Sequence, residues 1–439
     1  MGRNDGRDDV TERAPTRVGV LGSSHQALVD DRGTITPDGG RWQLDWWVGA
    51  DDRWHIPARE AAVRQALVGG APVVETSLRV PGGDAVHRVY GVGGPAGLVA
   101  VEIENASGAP FVAALVLGPA PAGRMRAVGT RGSWVTVDGR PALRTPRPAM
   151  RWAAGMRGDT LDVVTAGRAQ ESTFNGVGGR GMRLEVALLQ PVAHRTRLRC
   201  ALAVGRPGRS VPVEAVDLSL LPDAAVAAAG WDAQRRRGMR VVLPDARLQE
   251  AVDAGRAALL LASDARSRPS GEVVAALEDW GFDGEAAAAW RRLGIRARAR
   301  ASHRAPDPTP WSSIRTRLAS ASATFTWTDG PAPFLGAVRD LLVGAGVNAS
   351  DEDSAALLVE LPVEWRGQSL EVHDAPTRAG RVSYAVRWHG ARPALLWECE
   401  RPMRLNAPGL DRAWSTTEQR GETLLAAPAG APGDAGGFS

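Results

Sequence analysis

Between residues 16 and 218 apolar side chains recur at every second position in short runs, and this periodicity limits the fold more than any other feature. The runs are TRVGVLG, APVVETSLRV, HRVYGV, GLVAVEIEN, PFVAALVLG, SWVTVDG, LDVVTAG, MRLEVALLQ and RLRCALAVG. A period of two sends alternate side chains to opposite faces of a strand, so each run can bury one face of an antiparallel sheet. About a dozen such strands, with hardly any helical period, predict a large sandwich. PAREAAVRQALVGG at 57–70 is read as a helix interrupting it. NGVGGRG at 175–181 lacks the strand–loop–helix setting that phosphate cradling requires, and is read as a flexible loop.

After Leu221 the period changes. PDAAVAAAGWDAQRRRG predicts a connecting helix that stops at Gly238, and MRVVLP a short strand. Pro244 is placed in a first helical turn, followed by Leu248, Val252, Gly255, Leu259 and Ala262 on one helical face. Val273, Leu277 and Trp280 continue at helical spacing to Gly281, a good residue to end a helix. Asp283 is read as the cap of GEAAAAWRRLG. A weaker helix is centred on Ile314 and Leu318, and PFLGAVRDLLVGAG carries Phe334, Val338, Leu341 and Leu342 on one face.

From about residue 351 the pattern is β again. In VSYAVRWHGARPALLWE, a turn at His389–Arg392 sets Trp388 opposite Pro393, Val386 opposite Leu395, Tyr384 opposite Trp397 and Val382 opposite Cys399. All eight then share an apolar face, and Glu398 points away from it.

GWDAQRRRGMRVVLPD, DARLQEAVDAGRAALLLAS and EVVAALEDWGFDGEAAAAWRRLG, placed after a sandwich, resemble the six-hairpin glycosidases, glucoamylase-like enzymes and disaccharide phosphorylases among them. VEWRGQSLEVHDAPTRAGRVSYAVRWHGARPALLWE is similar to the small β-domain that closes some of those chains. The resemblance implies an α+β multidomain chain: an N-terminal antiparallel β-supersandwich at 16–218, a linker helix and strand at 219–243, an α/α toroid segment at 244–345 and a C-terminal small β-sandwich at 346–426. Residues 1–15 and 427–439 are read as disordered ends. A complete toroid has about twelve helices and needs roughly 250 residues or more. The helical stretch holds perhaps five helices, so the toroid is expected to be strongly truncated.

That shortage bears on chemistry, because inverting glycosidases use two carboxyl groups roughly 6.5–9.5 Å apart. In the family these come from loops on different hairpins. The catalytic candidates here are Glu278, Asp279 and Asp283 around the WGFDG loop. DWWVGADDRWH at 45–55 gathers three tryptophans, three aspartates and a histidine, and tryptophan faces stack on the C–H faces of sugars. Asp45, Trp46, Trp47 and Trp54 are therefore substrate-binding candidates, expected to meet the helical layer near Trp280. The competing reading is a sandwich strand with buried tryptophans and a polar turn at Asp51-Asp52.

Other classes are disfavoured. All 53 basic residues are arginine, scattered among 49 acidic ones for a net charge of +4, which suggests a GC-rich bacterial genome more than a nucleic-acid-binding surface. No window reaches the roughly 18 apolar residues of a membrane span. The polar N-terminus lacks a signal-like apolar region and Cys200 and Cys399 lie far apart, so a cytoplasmic chain with free thiols is expected. His87, His194, His373 and the other histidines form no HxH or HxxxH pair, no nucleophile elbow is present, and neither metal nor cofactor is expected. Three readings stay open: a degenerate glycosidase-like protein with a residual sugar groove, an active glycoside hydrolase on an α-glucoside-like substrate, and a protein-interaction scaffold. The short helical layer is also expected to leave an apolar flank that needs a partner, a second copy of the chain or the C-terminal β-domain to cover it.

The hairpin register gives the first prediction. Trp397→Ala should destabilise the protein by about 3–5 kcal/mol in urea unfolding. A loss below about 1 kcal/mol would mean that the register is shifted.

Overall fold

A computed structural model describes residues 14–93, 97–179, 183–204, 216–293, 309–345 and 353–428. The disordered ends expected from sequence fall outside the described residues, apart from 14, 15, 427 and 428. The architecture is α+β and multidomain: two nine-stranded antiparallel sheets, then helices, then sheets of five and four strands.

The two large sheets face each other over a core that includes Leu44, Trp46, Val89, Val101, Leu115, Val186 and Cys200. Each also buries part of its other face. Trp47, Ala114, Val116 and Ala187 lie under a seven-residue helix, α1 (Asp159–Thr165), on the outside of the first sheet. Val73, Tyr90, Leu98, Ala100 and Ala201 of the second sheet join the core of the helical layer. This double coverage explains why 98–103 is buried at six successive positions instead of alternating.

Two local expectations fail. Residues 57–70 form no long helix: only short 3-10 turns, Pro57–Arg59 and Val68–Gly70, flank the strand Val63–Leu67. That strand pairs with Val73–Val80, and Gly69 and Gly70 supply the positive φ, 58° and 65°, that the intervening turn requires. LDVVTAG is no strand: it lies in and just beyond α1, whose Leu161 and Val164 pack inward three residues apart. Within NGVGGRG, Gly176–Gly178 is a strand pairing with Ala127–Arg131, and residues 180–181 lie outside the described residues.

Helices α2 (Ala224–Arg235), α3 (Ala246–Asp264), α4 (Gly271–Asp279), α5 (Asp283–Arg292), α6 (Trp311–Ser320) and α7 (Ala332–Leu342) follow the sequence periodicity. Asp245 caps α3, accepting the Leu248 N–H at 2.9 Å, so Pro244 precedes the helix instead of opening it. Phe282 occupies the cap position of α5, and Asp283 is its first residue. Each of α3, α4 and α7 packs on the other two, a cluster and not an arc of a ring.

The strands bracketing α3–α7 belong to the C-terminal sheets. Arg240–Val242 pairs with Leu370–Thr377 at the edge of the five-stranded sheet, and Val343–Ala345 pairs with Ser354–Leu357 in the four-stranded one. The helices are thus inserted between two strands of the C-terminal β-domain and share one continuous core with it. Among the described residues the large exposed hydrophobics, Met150, Met156, Leu220, Val226, Val242, Val363 and Leu424, all lie outside α3–α7. No helix among them is long and apolar enough to cross a membrane.

The C-terminal hairpin has the expected register at every pair from Val382↔Cys399 to His389↔Arg392. Trp397 and Tyr384 are buried and Glu398 is exposed. Trp388, near the tip, is only half-buried and donates Nε1–H to the Gln368 carbonyl at 2.9 Å. Cys200 and Cys399 are free and buried, in separate cores, and burial raises both thiols, Cys200 to about 12.

Trp280 is fully buried where α4, α7 and the strand from Met239 converge. A Cβ at Gly238 would lie 2.4 Å from the Trp280 carbonyl oxygen. Trp280→Ala should cost about 3–5 kcal/mol and Gly238→Ala about 1–3 kcal/mol in chemical unfolding. Neutral behaviour of both would show that this joint is dispensable.

Candidate functional site

Strand alternation divides the tryptophan-rich segment. In Trp42–Gly49, residues Leu44, Trp46 and Val48 point into the sandwich, while Asp45 and Trp47 point outward. Trp46 is 1% exposed, stacks on His87 at 4.7 Å and donates Nε1–H to the Arg32 carbonyl, so it is closed to any ligand. Trp280 is 0% exposed and belongs to a different core. Burial thus excludes both indoles from sugar stacking, and the expected meeting of 45–55 with Trp280 does not occur. Trp54 is half-buried against Gly49, beside the cluster that contains Trp47.

The helical-layer carboxylates have structural partners. Glu278 accepts the Trp290 Nε1–H, tying α4 to α5. Asp283 pairs with Arg381 at 2.8 Å, tying α5 to the C-terminal sheet. Asp279, the last residue of α4, is engaged as well. Glu278 and Asp283 each fasten one element to another.

A cavity of about 180 Å³ opens on the outer face of the first sheet, between the strands and the start of α1. Its polar lining is Gln43, Asp45, Arg59, Arg157 and Glu185, and Trp47 and Ile56 supply apolar wall. The register explains the gathering. Asp45 and Ala187 both lie opposite Val116 of the strand Phe111–Pro119, on its two sides, and Glu185 is two residues from Ala187 on the same face. Glu185 in turn pairs with Gly155, and a Cβ on Gly118 would lie 3.5 Å from its Oε2. Gly118 thus lies in contact distance of the Glu185 carboxylate.

Burial is the largest influence on both acids. It pushes Asp45 up to about 6, against hydrogen bonds from the Trp46 N–H at 2.8 Å and the Trp47 Nε1–H at 2.9 Å. The Asp30 and Glu185 charges push the same way. Burial also raises Glu185, opposed by the Gly158 N–H at 3.3 Å and by Arg157. Two acids, two guanidiniums and an amide in so small a space can accept from and donate to adjacent hydroxyl groups. Sequence reasoning named Asp45 and Trp47 but missed Glu185, Arg59 and Arg157. The available signal was a lone glutamate in MRLEVALLQ, at an outward position between apolar neighbours.

A raised carboxyl pKa means that the folded state holds the proton more tightly than the unfolded chain. The stability Asp45 contributes is fully present below its ordinary value of 3.8 and is lost as pH rises through about 6. A carboxyl NMR titration should place the Asp45 midpoint near 6. Asp45→Asn should flatten that part of the stability profile, and a midpoint of about 4 would contradict the burial account.

No protein-family model matches the chain, and no curated protein matches it. Among solved structures, a family GH92 α-mannosidase from Bacteroides thetaiotaomicron aligns at 8% sequence identity with a TM-score of 0.25. The alignment covers 58% of this chain and 39% of that enzyme. At that level the likeness says nothing about fold or activity, and the resemblance to six-hairpin glycosidases remains one of layout.

Proposed function

We propose that this chain is a carbohydrate-binding protein with a glycosidase-like layout and no hydrolytic centre in its helical layer. The observation that carries the reading is the outer-face cavity, where Asp45, Glu185, Gln43, Arg59 and Arg157 converge beside Trp47. Sugar hydroxyls are donors and acceptors at once, so a site that reads them needs carboxylates to accept and guanidinium or amide groups to donate. At about 180 Å³ the cavity is smaller than the roughly 300–1,000 Å³ of ordinary small-molecule pockets, which suits a single sugar ring. The partners of Glu278 and Asp283 and the clustering of α3, α4 and α7 support the reading without hydrolysis. A scaffold reading would need an uncovered apolar face on α3–α7, where the described residues expose no large hydrophobic side chain.

The test is an NMR or calorimetric titration with a panel of monosaccharides, with nitrophenyl glycoside hydrolysis followed in parallel. At least one sugar should bind with Kd on the order of 1 mM or tighter, and Asp45→Ala should weaken it at least about tenfold, or 1.4 kcal/mol. No turnover is expected. Failure of the whole panel to bind would reject the proposal. So would robust hydrolysis abolished by Asp279→Asn or Asp283→Asn with folding intact.

A further inference from the structure

A second cavity, also of about 180 Å³, lies on the seam where the sandwich meets the helical layer. Three parts of the sandwich and one helical loop build it: the first strand at Thr16, the turn at Asp31 and Arg32, the strand bearing Gln65, and the α6–α7 connection at Ser322 and Thr324. The seam is fastened by hydroxyls. Thr16 and Thr324, both buried, share a hydrogen bond of 2.5 Å, and the Thr326 hydroxyl donates to the Ala14 carbonyl at 2.7 Å. Ser322 Oγ accepts the Thr324 and Thr326 N–H groups and bonds both of their hydroxyls, which holds the loop in one shape. Phe325, at φ 52°, makes the tight reversal inside it.

The lining favours one class of ligand. Arg32 donates Nη1–H to the Glu60 carbonyl at 2.8 Å and has Asp31 4.0 Å from Nε, fewer partners than its five N–H groups can serve. Gln65 uses its amide nitrogen on the Asp30 carbonyl and Thr76, and its oxygen remains an acceptor. One guanidinium and one carboxylate cancel in charge, the Gln65 carboxamide oxygen and the Thr16 and Thr324 hydroxyl oxygens can accept, Arg32 can donate, and Val29 and Val63 supply apolar wall. A charged ligand would meet no net opposite charge there, whereas the hydroxyls of a neutral ring can donate to these acceptors and accept from Arg32.

We infer that the seam cavity is a binding site for a neutral polyol about the size of one sugar ring, separate from the Asp45 cavity. Such a ligand would bridge the first strand and the α6–α7 loop, coupling the sandwich to the helical layer. The experiment uses the full chain titrated with glucose, mannose, myo-inositol and glucuronate. Ala323→Phe and Ala61→Phe each place a ring at an exposed lining position, where folding should be preserved, and circular dichroism checks that it is. At least one neutral probe should bind the Asp45→Ala chain, in which the outer-face cavity is disabled, and either plug should weaken that binding at least about tenfold, tenfold being 1.4 kcal/mol. No binding by any neutral probe, or affinity unaltered by both folded plug variants, overturns the inference. A tenfold preference for glucuronate overturns the ligand class. Binding lost with Asp45→Ala and unaffected by the plugs overturns the seam site while leaving the outer-face reading intact.

Discussion

The indole of Trp280 holds three layers of the protein to one another. Its Nε1–H donates to the Leu335 carbonyl of α7 at 3.1 Å, and its own carbonyl accepts the Met239 N–H at 2.8 Å at the start of the strand that enters the C-terminal sheet. The Arg256 guanidinium of α3 lies 5.4 Å from its ring and 5.7 Å from that of Phe282. Burial lowers Arg256 to about 10, still charged at neutral pH, and Asp253 and the Arg235 carbonyl balance the charge. Gly238 and Gly281 let the backbones approach: a side chain at the first would strike the Trp280 carbonyl, and the second takes φ 73°. If this joint opened, α3, α4 and α7 would lose their common contact.

The same joint explains how a helical layer too short for a ring stays covered. A closed toroid buries its apolar stripes by wrapping helices around one another. Here α3–α7 run between two strands of the C-terminal β-domain, with the second face of the sandwich on another side. One continuous core replaces ring closure, and it draws residues from Ala71 to Leu425. The carboxylates of the WGFDG loop then serve as fasteners, Asp283 reaching Arg381 across to the C-terminal sheet.

Polar chemistry survives instead on the outside of the first sheet, where α1 covers the strands only in part. Two acids lie there next to a strand whose neighbours are apolar or glycine, and desolvation raises both. A buried acid with a raised pKa lowers stability at neutral pH, a cost that selection for packing alone would remove.

Periodicity alone determined the sandwich, the six longer helices and the C-terminal hairpin down to its register. In most of them the repeat runs unbroken, and the ends carry local signals such as Asp245, Ser270 and the Gly390 turn. It misled where a short segment fits two periods. Val63–Leu67 joins a sheet because Val73–Val80 is there to pair with it, and Leu161 and Val164 suit a helix as well as a strand. The parity of DWW was legible, since adjacent strand residues cannot share a face, yet which face looked outward was not. That choice, like the company of Asp45 with Glu185 and of Thr16 with Thr324, joins residues more than a hundred positions apart. Local spacing fixes the direction of a side chain relative to its own strand or helix. Only the packing of distant layers decides what lies in that direction.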